Sequence, residues 1–191
     1  MKTLGYDDKN IEYTFKNGQG DTSTCASIAN DFAGKNFDCV MAIATPAAQA
    51  VAKLATKTPV VFSAVTDPVG AQLTSSLFKP DKNITGTSDE VQVDQIIDKA
   101  LEINPNTKTI GMLYNKGEAN SVTNIKKAKA YCAKKNIKIE EATIASVNEA
   151  QSAVNVLNSK CDAIFAPNDN TVASAMNVVS DACKKANKPL Y

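Results

Sequence analysis

The chain has 191 residues, 43% of them apolar, and its 21 basic residues, all Lys, nearly balance 20 acidic ones. That composition excludes a disordered chain and is sufficient for a buried core. Divided near Ser88, it carries 8 Lys against 8 acids before the cut and 13 against 12 after it, so neither half is a basic arm for nucleic acid.

His is absent, which removes Ser-His, Cys-His and His-ligated metal sites from the chemistry this chain can build alone. With no Arg either, an anionic ligand must be held by Lys, hydroxyls or backbone N–H groups. The five cysteines, Cys25, Cys39, Cys132, Cys161 and Cys183, are odd in number and lack CxxC or metal spacing, so they read as free thiols. No apolar run reaches the roughly 20 residues of a membrane span, and no targeting signal is visible.

Short apolar runs alternate with helical stripes along the chain, which predicts an α/β fold with parallel strands covered by helices on both faces. The predicted strands are Ile11 to Phe15, Cys39 to Ile43, Val60 to Phe62, Asn83 to Thr87, Thr109 to Tyr114, Ile137 to Thr143 and Asp162 to Ala166, with another opening at Pro189 to Tyr191. Cys25, Ile28, Ala29 and Phe32 mark one helix stripe. Val93, Ile96, Ile97, Ala100 and Leu101 mark a second, and Val172, Ala175, Met176, Val179 and Cys183 a third. Weaker stripes place helices at Ala119 to Lys135 and Val147 to Asn158.

A faint internal repeat lays the segment from Asp38 over the segment from Asp162, each reading strand, loop, helix, and each followed by a Lys-Pro type strand entry at Lys57 to Pro59 and Lys188-Pro189. The repeat makes Thr45 and Asp169 equivalent, at the carboxyl end of a strand where open α/β sheets bind ligands. Thr45 reads as an N-cap with Pro46 behind it in the first helical position, a site that suits an anion. Asp169, flanked by Asn168 and Asn170, offers a carboxylate to a cation across a cleft, with plain helix capping as the rival role for both residues. Phe62 to Gly70 adds the hydroxyls of Ser63 and Thr66 and the carboxylate of Asp67, the last equally suited to starting a turn at Pro68. After the strand ending at Tyr114, the polar loop through Asn115, Glu118, Asn120 and Ser121 offers further candidates, again with capping as the rival.

Five segments carry a family resemblance: Ala42 to Ala50, Val61 to Gly70, Asn83 to Asp89, Leu113 to Ser121 and Ala166 to Ser174. In order and spacing they resemble the ABC-transporter substrate-binding proteins of the tryptophan/tyrosine type. The resemblance implies a type I periplasmic-binding-protein fold, with two Rossmann-like lobes at residues 1–88 and 89–191. It implies that the first lobe lacks its first strand, Met1 to Tyr6 being the end of the first helix, and that the second lobe is incomplete at its carboxyl end. It also implies an extracytoplasmic protein without catalysis or cofactor, which binds a small molecule, an aromatic amino acid above all, between the lobes. The partners implied are a permease and an ATPase, with the membrane reached only through a lipid anchor outside this chain. By position, Thr45, the helix start around Ala47, Ser63, Ala64 and Thr66 resemble the receptor for an α-carboxylate. Asp169 resembles the receptor for an α-ammonium, and Asn115, Glu118, Asn120, Ser121 and Asn170 the surrounding wall.

Two other classes share the two-lobed pattern. The effector core of a transcription regulator needs a DNA-binding helix-turn-helix that these residues do not contain. An amino-acid racemase needs two facing cysteines, yet Cys39 and Cys161 fall at the amino ends of their strands, away from the end where ligands bind.

Overall fold

A computed structural model describes residues 2–6 and 10–191 of the chain. Two separate three-stranded parallel sheets form its frame. The first has the order β1 (Val40–Ile43), β2 (Val60–Val65), β3 (Ile84–Ser88), and the second the order β5 (Lys138–Thr143), β4 (Thr109–Tyr114), β6 (Ala163–Phe165). Every pairing is parallel, so each crossover carries a helix or a long loop. Beyond β6, Leu190 pairs with Ile164 in a parallel bridge, which is the strand entry foreseen at Pro189 to Tyr191.

The second sheet is buried on both faces, and β4 shows why its sequence is an unbroken apolar run. Ile110 and Met112 face α3 (Val93–Ile103) and α4 (Ala119–Lys134), while Leu113 packs with α5 (Ala150–Lys160) and α7 (Met176–Lys185) on the other side. The first sheet differs from the expectation of helices on both faces. Val40, Ala42, Val60, Phe62 and Ile84 pack under α1 (Thr22–Ala33) and α2 (Thr45–Val51), but Met41, Ile43 and Val61 on the opposite face are exposed among the described residues.

Several local predictions change. Ile11 to Phe15 is not a strand: its alternation meets no neighbouring ladder among the described residues, and Tyr13 and Phe15 stay 59% and 80% exposed. Met1 lies outside the described residues, and Lys2–Leu4 form a short 3₁₀ turn. The stripe from Val172 to Cys183 is broken at Ala175 (φ −100°, ψ 8°), which separates α6 (Asn170–Ser174) from α7. The helix predicted from Val147 begins as a 3₁₀ turn, Val147–Glu149, before α5.

Candidate functional site

The carboxyl ends of the two sheets face one another. Thr66, just past β2, lies within a hydrogen bond of Asn168, just past β6, 2.6 Å from the Asn168 amide nitrogen. That bond brings Thr66 to the loop that carries Asp169, while Thr45, Ser63 and Ala64 lie at the carboxyl ends of the paired strands β1 and β2.

On the second sheet the adjacent strands β4 and β6 deliver two polar loops that lock together. Asp169 is 1% exposed and does more than cap α6. One carboxylate oxygen accepts the Val172 N–H at 2.8 Å, as an N-cap does. The other accepts the Asn115 N–H at 2.6 Å and the Ser121 hydroxyl at 2.6 Å. Glu118 is fully buried beside it. It accepts the Asn170 N–H and side-chain amide at 3.0 and 2.6 Å, and the Thr171 N–H and hydroxyl at 3.0 Å each. The first three N–H groups of α6 are thus satisfied by two carboxylates, a strong fit to the positive end of a helix. Asn115 completes the lock by donating its side-chain amide to the Thr171 hydroxyl at 2.9 Å.

These bonds separate the two acids. Glu118 has donors on both oxygens and acts as the anchor of α6. Asp169 has three donors for about four acceptor positions, which leaves room for one more. No Lys is paired with either acid among the described residues. Burial pushes the Asp169 carboxyl above its usual range, its hydrogen bonds pull it back down, and the charge of Glu118 adds to the rise. A cationic group arriving there would meet a buried anion that lacks a counter-charge.

The first sheet offers the opposite chemistry. Thr45 corrects the sequence reading: the cap is Ala44, in the strained conformation φ 74°, ψ 156°, so Thr45 is already inside α2 and its hydroxyl makes no cap bond. Pro46 follows within the first turn, and Ala47 is half-buried. The Thr45 hydroxyl is buried without a hydrogen-bond partner in the protein. On the neighbouring strand Ala64 also has positive φ, 54°, where the β2–β3 register slips between Phe62 and Val65. Two adjacent left-handed alanines cost about 1 to 3 kcal/mol each, a strain that clusters at functional sites. Ser63 accepts a long bond, 3.4 Å, from Thr87. Asp67 takes the plainer of its two roles, accepting the Gly70 N–H at 2.8 Å in a turn.

Asn120 and Asn124 each hold a buried side-chain oxygen without a protein partner, close to the same junction. Asn124, Asn168 and Thr171 were not singled out by the sequence, where they read as ordinary polar positions beside a turn or within a helix. A concavity of about 610 Å³ opens at the other end of the second sheet among Asn104, Thr107, Asp162, Lys184, Lys188 and Pro189. It gathers no buried unpaired group, and it lies at the amino ends of the strands, away from the end where α/β sheets bind ligands. Cys39 and Cys161 also precede their strands, and burial raises the thiols of Cys25, Cys132, Cys161 and Cys183, that of Cys132 to about 11. Cys161 is buried and Cys39 exposed, and both lie at the amino ends of their strands, away from the end where ligands bind.

Paired parallel sheets whose carboxyl ends meet across a polar junction define the type I periplasmic-binding-protein class of fold. The chain belongs to the ABC transporter substrate binding protein family, whose model matches residues 1–191. A tyrosine-binding protein of Clostridioides difficile is 36% identical over 191 residues, covering the whole of this chain and 55% of that protein. The structure of a Streptococcus pneumonia ABC domain in complex with L-Trp is 39% identical, covers 100% of this chain and 64% of its own, and superposes with a TM-score of 0.93. A ligand-free, open structure of a substrate binding protein with adhesive properties from Clostridium difficile is also 39% identical, with coverage of 99% and 64%, but superposes at only 0.60. The chain therefore spans between about half and two thirds of the length of these relatives.

Proposed function

We propose that this chain is the ligand-binding part of an extracytoplasmic receptor for an ABC importer, and that it takes an aromatic amino acid between two lobes formed by residues 1–88 and 89–191. Relatives that bind L-Trp or are described as tyrosine-binding support the ligand class. The observation that carries the reading is the pair of opposite polar ends. Asp169 is a buried anion without a counter-ion after β6, and the residue that follows the carboxyl end of β1 in the other sheet, Thr45, carries a buried, unpartnered hydroxyl.

An α-amino acid fits such ends because it is a zwitterion. Its ammonium pairs with Asp169, and its carboxylate is held by Thr45, the start of α2 around Ala47, Ser63, Ala64 and Thr66 without any Arg. Asn115, Glu118, Asn120, Ser121 and Asn170 hold the Asp169 loop in place. A ligand that bridges both ends gains contacts in the closed form that the open form makes on one side only, which drives closure. The role is binding and release to a permease driven by an ATPase, without a chemical step.

Calorimetry on the full-length protein with L-Trp, tryptamine and indole-3-propionate tests the two ends separately. L-Trp should bind far more tightly than either analogue, one of which lacks the carboxylate and the other the ammonium. Equal affinity for all three would refute the reading.

A further inference from the structure

A primary ammonium brings three N–H donors into a buried site, and each needs an acceptor once water is excluded. Asp169 has room for one of them, its other acceptor positions being taken by Val172, Asn115 and Ser121. Two more acceptors are required. We propose that the side-chain oxygens of Asn120 and Asn124 supply them, which makes both asparagines ligand contacts and restricts the site to amino acids with an unsubstituted α-amine.

The two residues stand one turn apart on α4, so their side chains share a face. Asn120 is 3% exposed and Asn124 is fully buried. Among the described residues, only these two and Thr45 hold a buried side-chain nitrogen or oxygen without a hydrogen-bond partner. In each asparagine the oxygen is left over because the nitrogen is already committed. The Asn120 amide nitrogen donates to the Asn168 backbone carbonyl at 2.8 Å and lies 3.4 Å from the Glu118 carboxylate, two groups that accept and do not donate. The Asn124 amide nitrogen donates to the Asn168 side-chain oxygen at 2.6 Å, while the Asn168 nitrogen is turned to the Thr66 hydroxyl.

Both asparagines thus bond to the residue that precedes Asp169 in the chain. Asn120 also reaches the Ser121 hydroxyl at 3.4 Å, and that hydroxyl donates to Asp169 at 2.6 Å. The same helix meets α2, which carries Thr45. A buried acceptor without a donor costs free energy, and an ammonium, which carries donors only, satisfies both oxygens.

The acceptor pair presupposes that Asp169 receives the ammonium of the ligand, and the test separates the two. The full-length wild type, Asn120→Ala and Asn124→Ala are titrated calorimetrically with L-Trp and with Nα-methyl-L-Trp, whose ammonium has one N–H fewer. Wild type should bind L-Trp about 10- to 100-fold more tightly than the methylated ligand, which forgoes one charge-assisted hydrogen bond. Each variant should lose about 10- to 100-fold for L-Trp and less than about threefold for Nα-methyl-L-Trp, so the preference collapses. Equal losses for the two ligands would mark the asparagines as purely structural and overturn the pair. Variants with wild-type affinity for L-Trp, or a wild type that binds both ligands equally, would overturn it too and leave the proposed function standing. If one variant fails to fold, the other carries the same comparison, and if neither folds the wild-type preference decides. A wild type that binds neither ligand would refute the proposed function, and the acceptor pair with it.

Discussion

Replacing Asp169 by Ala removes the acceptor of three donors and the negative charge together, and the two consequences can be measured separately. The Val172 N–H, Asn115 N–H and Ser121 hydroxyl lose their partner. At about 1 kcal/mol net for each hydrogen bond, the ligand-free fold should lose roughly 2 to 3 kcal/mol, reduced in part because a buried, unpaired charge is also removed. Ligand binding should suffer more, because the ammonium would then be buried without its counter-charge. That predicts a loss of about 2 to 4 kcal/mol, or roughly 30- to 1000-fold in affinity. Calorimetric titration of the full-length variant with L-Trp, at a temperature where circular dichroism shows it folded, reads the second effect. Affinity within threefold of wild type would show that Asp169 does not receive the ammonium.

Glu118→Gln keeps the side chain's shape but halves its capacity to accept the Asn170 and Thr171 donors. It should destabilise the protein by about 1 to 3 kcal/mol in urea unfolding, and an unchanged midpoint would contradict the anchoring role. Gly86→Ala would put a Cβ 2.0 Å from the Phe62 carbonyl oxygen, which backbone cannot yield, so the first sheet should be disrupted. A folded Gly86→Ala variant with wild-type Tm would refute that packing. The Asp169 carboxyl lies above its usual 3.8 in the fold. The folded state therefore holds an extra proton between the unfolded and folded pKa, and the stability linked to this group grows as pH falls through that window. Affinity for an amino acid should fall in the same range, since pairing needs the carboxylate. Affinity that is flat or rising as pH drops from 7 to 4 would contradict the assignment.

Much of the frame was legible because apolar content and local punctuation agreed. β4 was read to the residue, Thr109–Tyr114, since a strand buried on both faces is an unbroken apolar run between polar neighbours. The α3 stripe was equally clear. Ile11 to Phe15 misled because its residues suit a strand but no partner pairs with them, and pairing is a long-range fact. Thr45 misled in a subtler way. Thr before Pro is a good cap signal, but Ala44 takes the strained cap position and turns the Thr45 hydroxyl into a buried, unbonded group. Asp169 and Glu118 were legible as candidates from their places after strand ends. Their different roles were not, because the donors that divide them come from the other loop, 48 to 54 residues away. Asn168 was legible only as a neighbour of Asp169, because its partner Thr66 lies 102 residues away in the chain.

A crystal structure of the full-length protein with L-Trp tests the central claim most directly. The ammonium nitrogen should lie within hydrogen-bond reach of the Asp169 carboxylate, and the ligand carboxylate should accept the Thr45 hydroxyl across the junction. A ligand bound in reverse, or lodged instead in the concavity beside Asn104 and Lys188, would contradict the account.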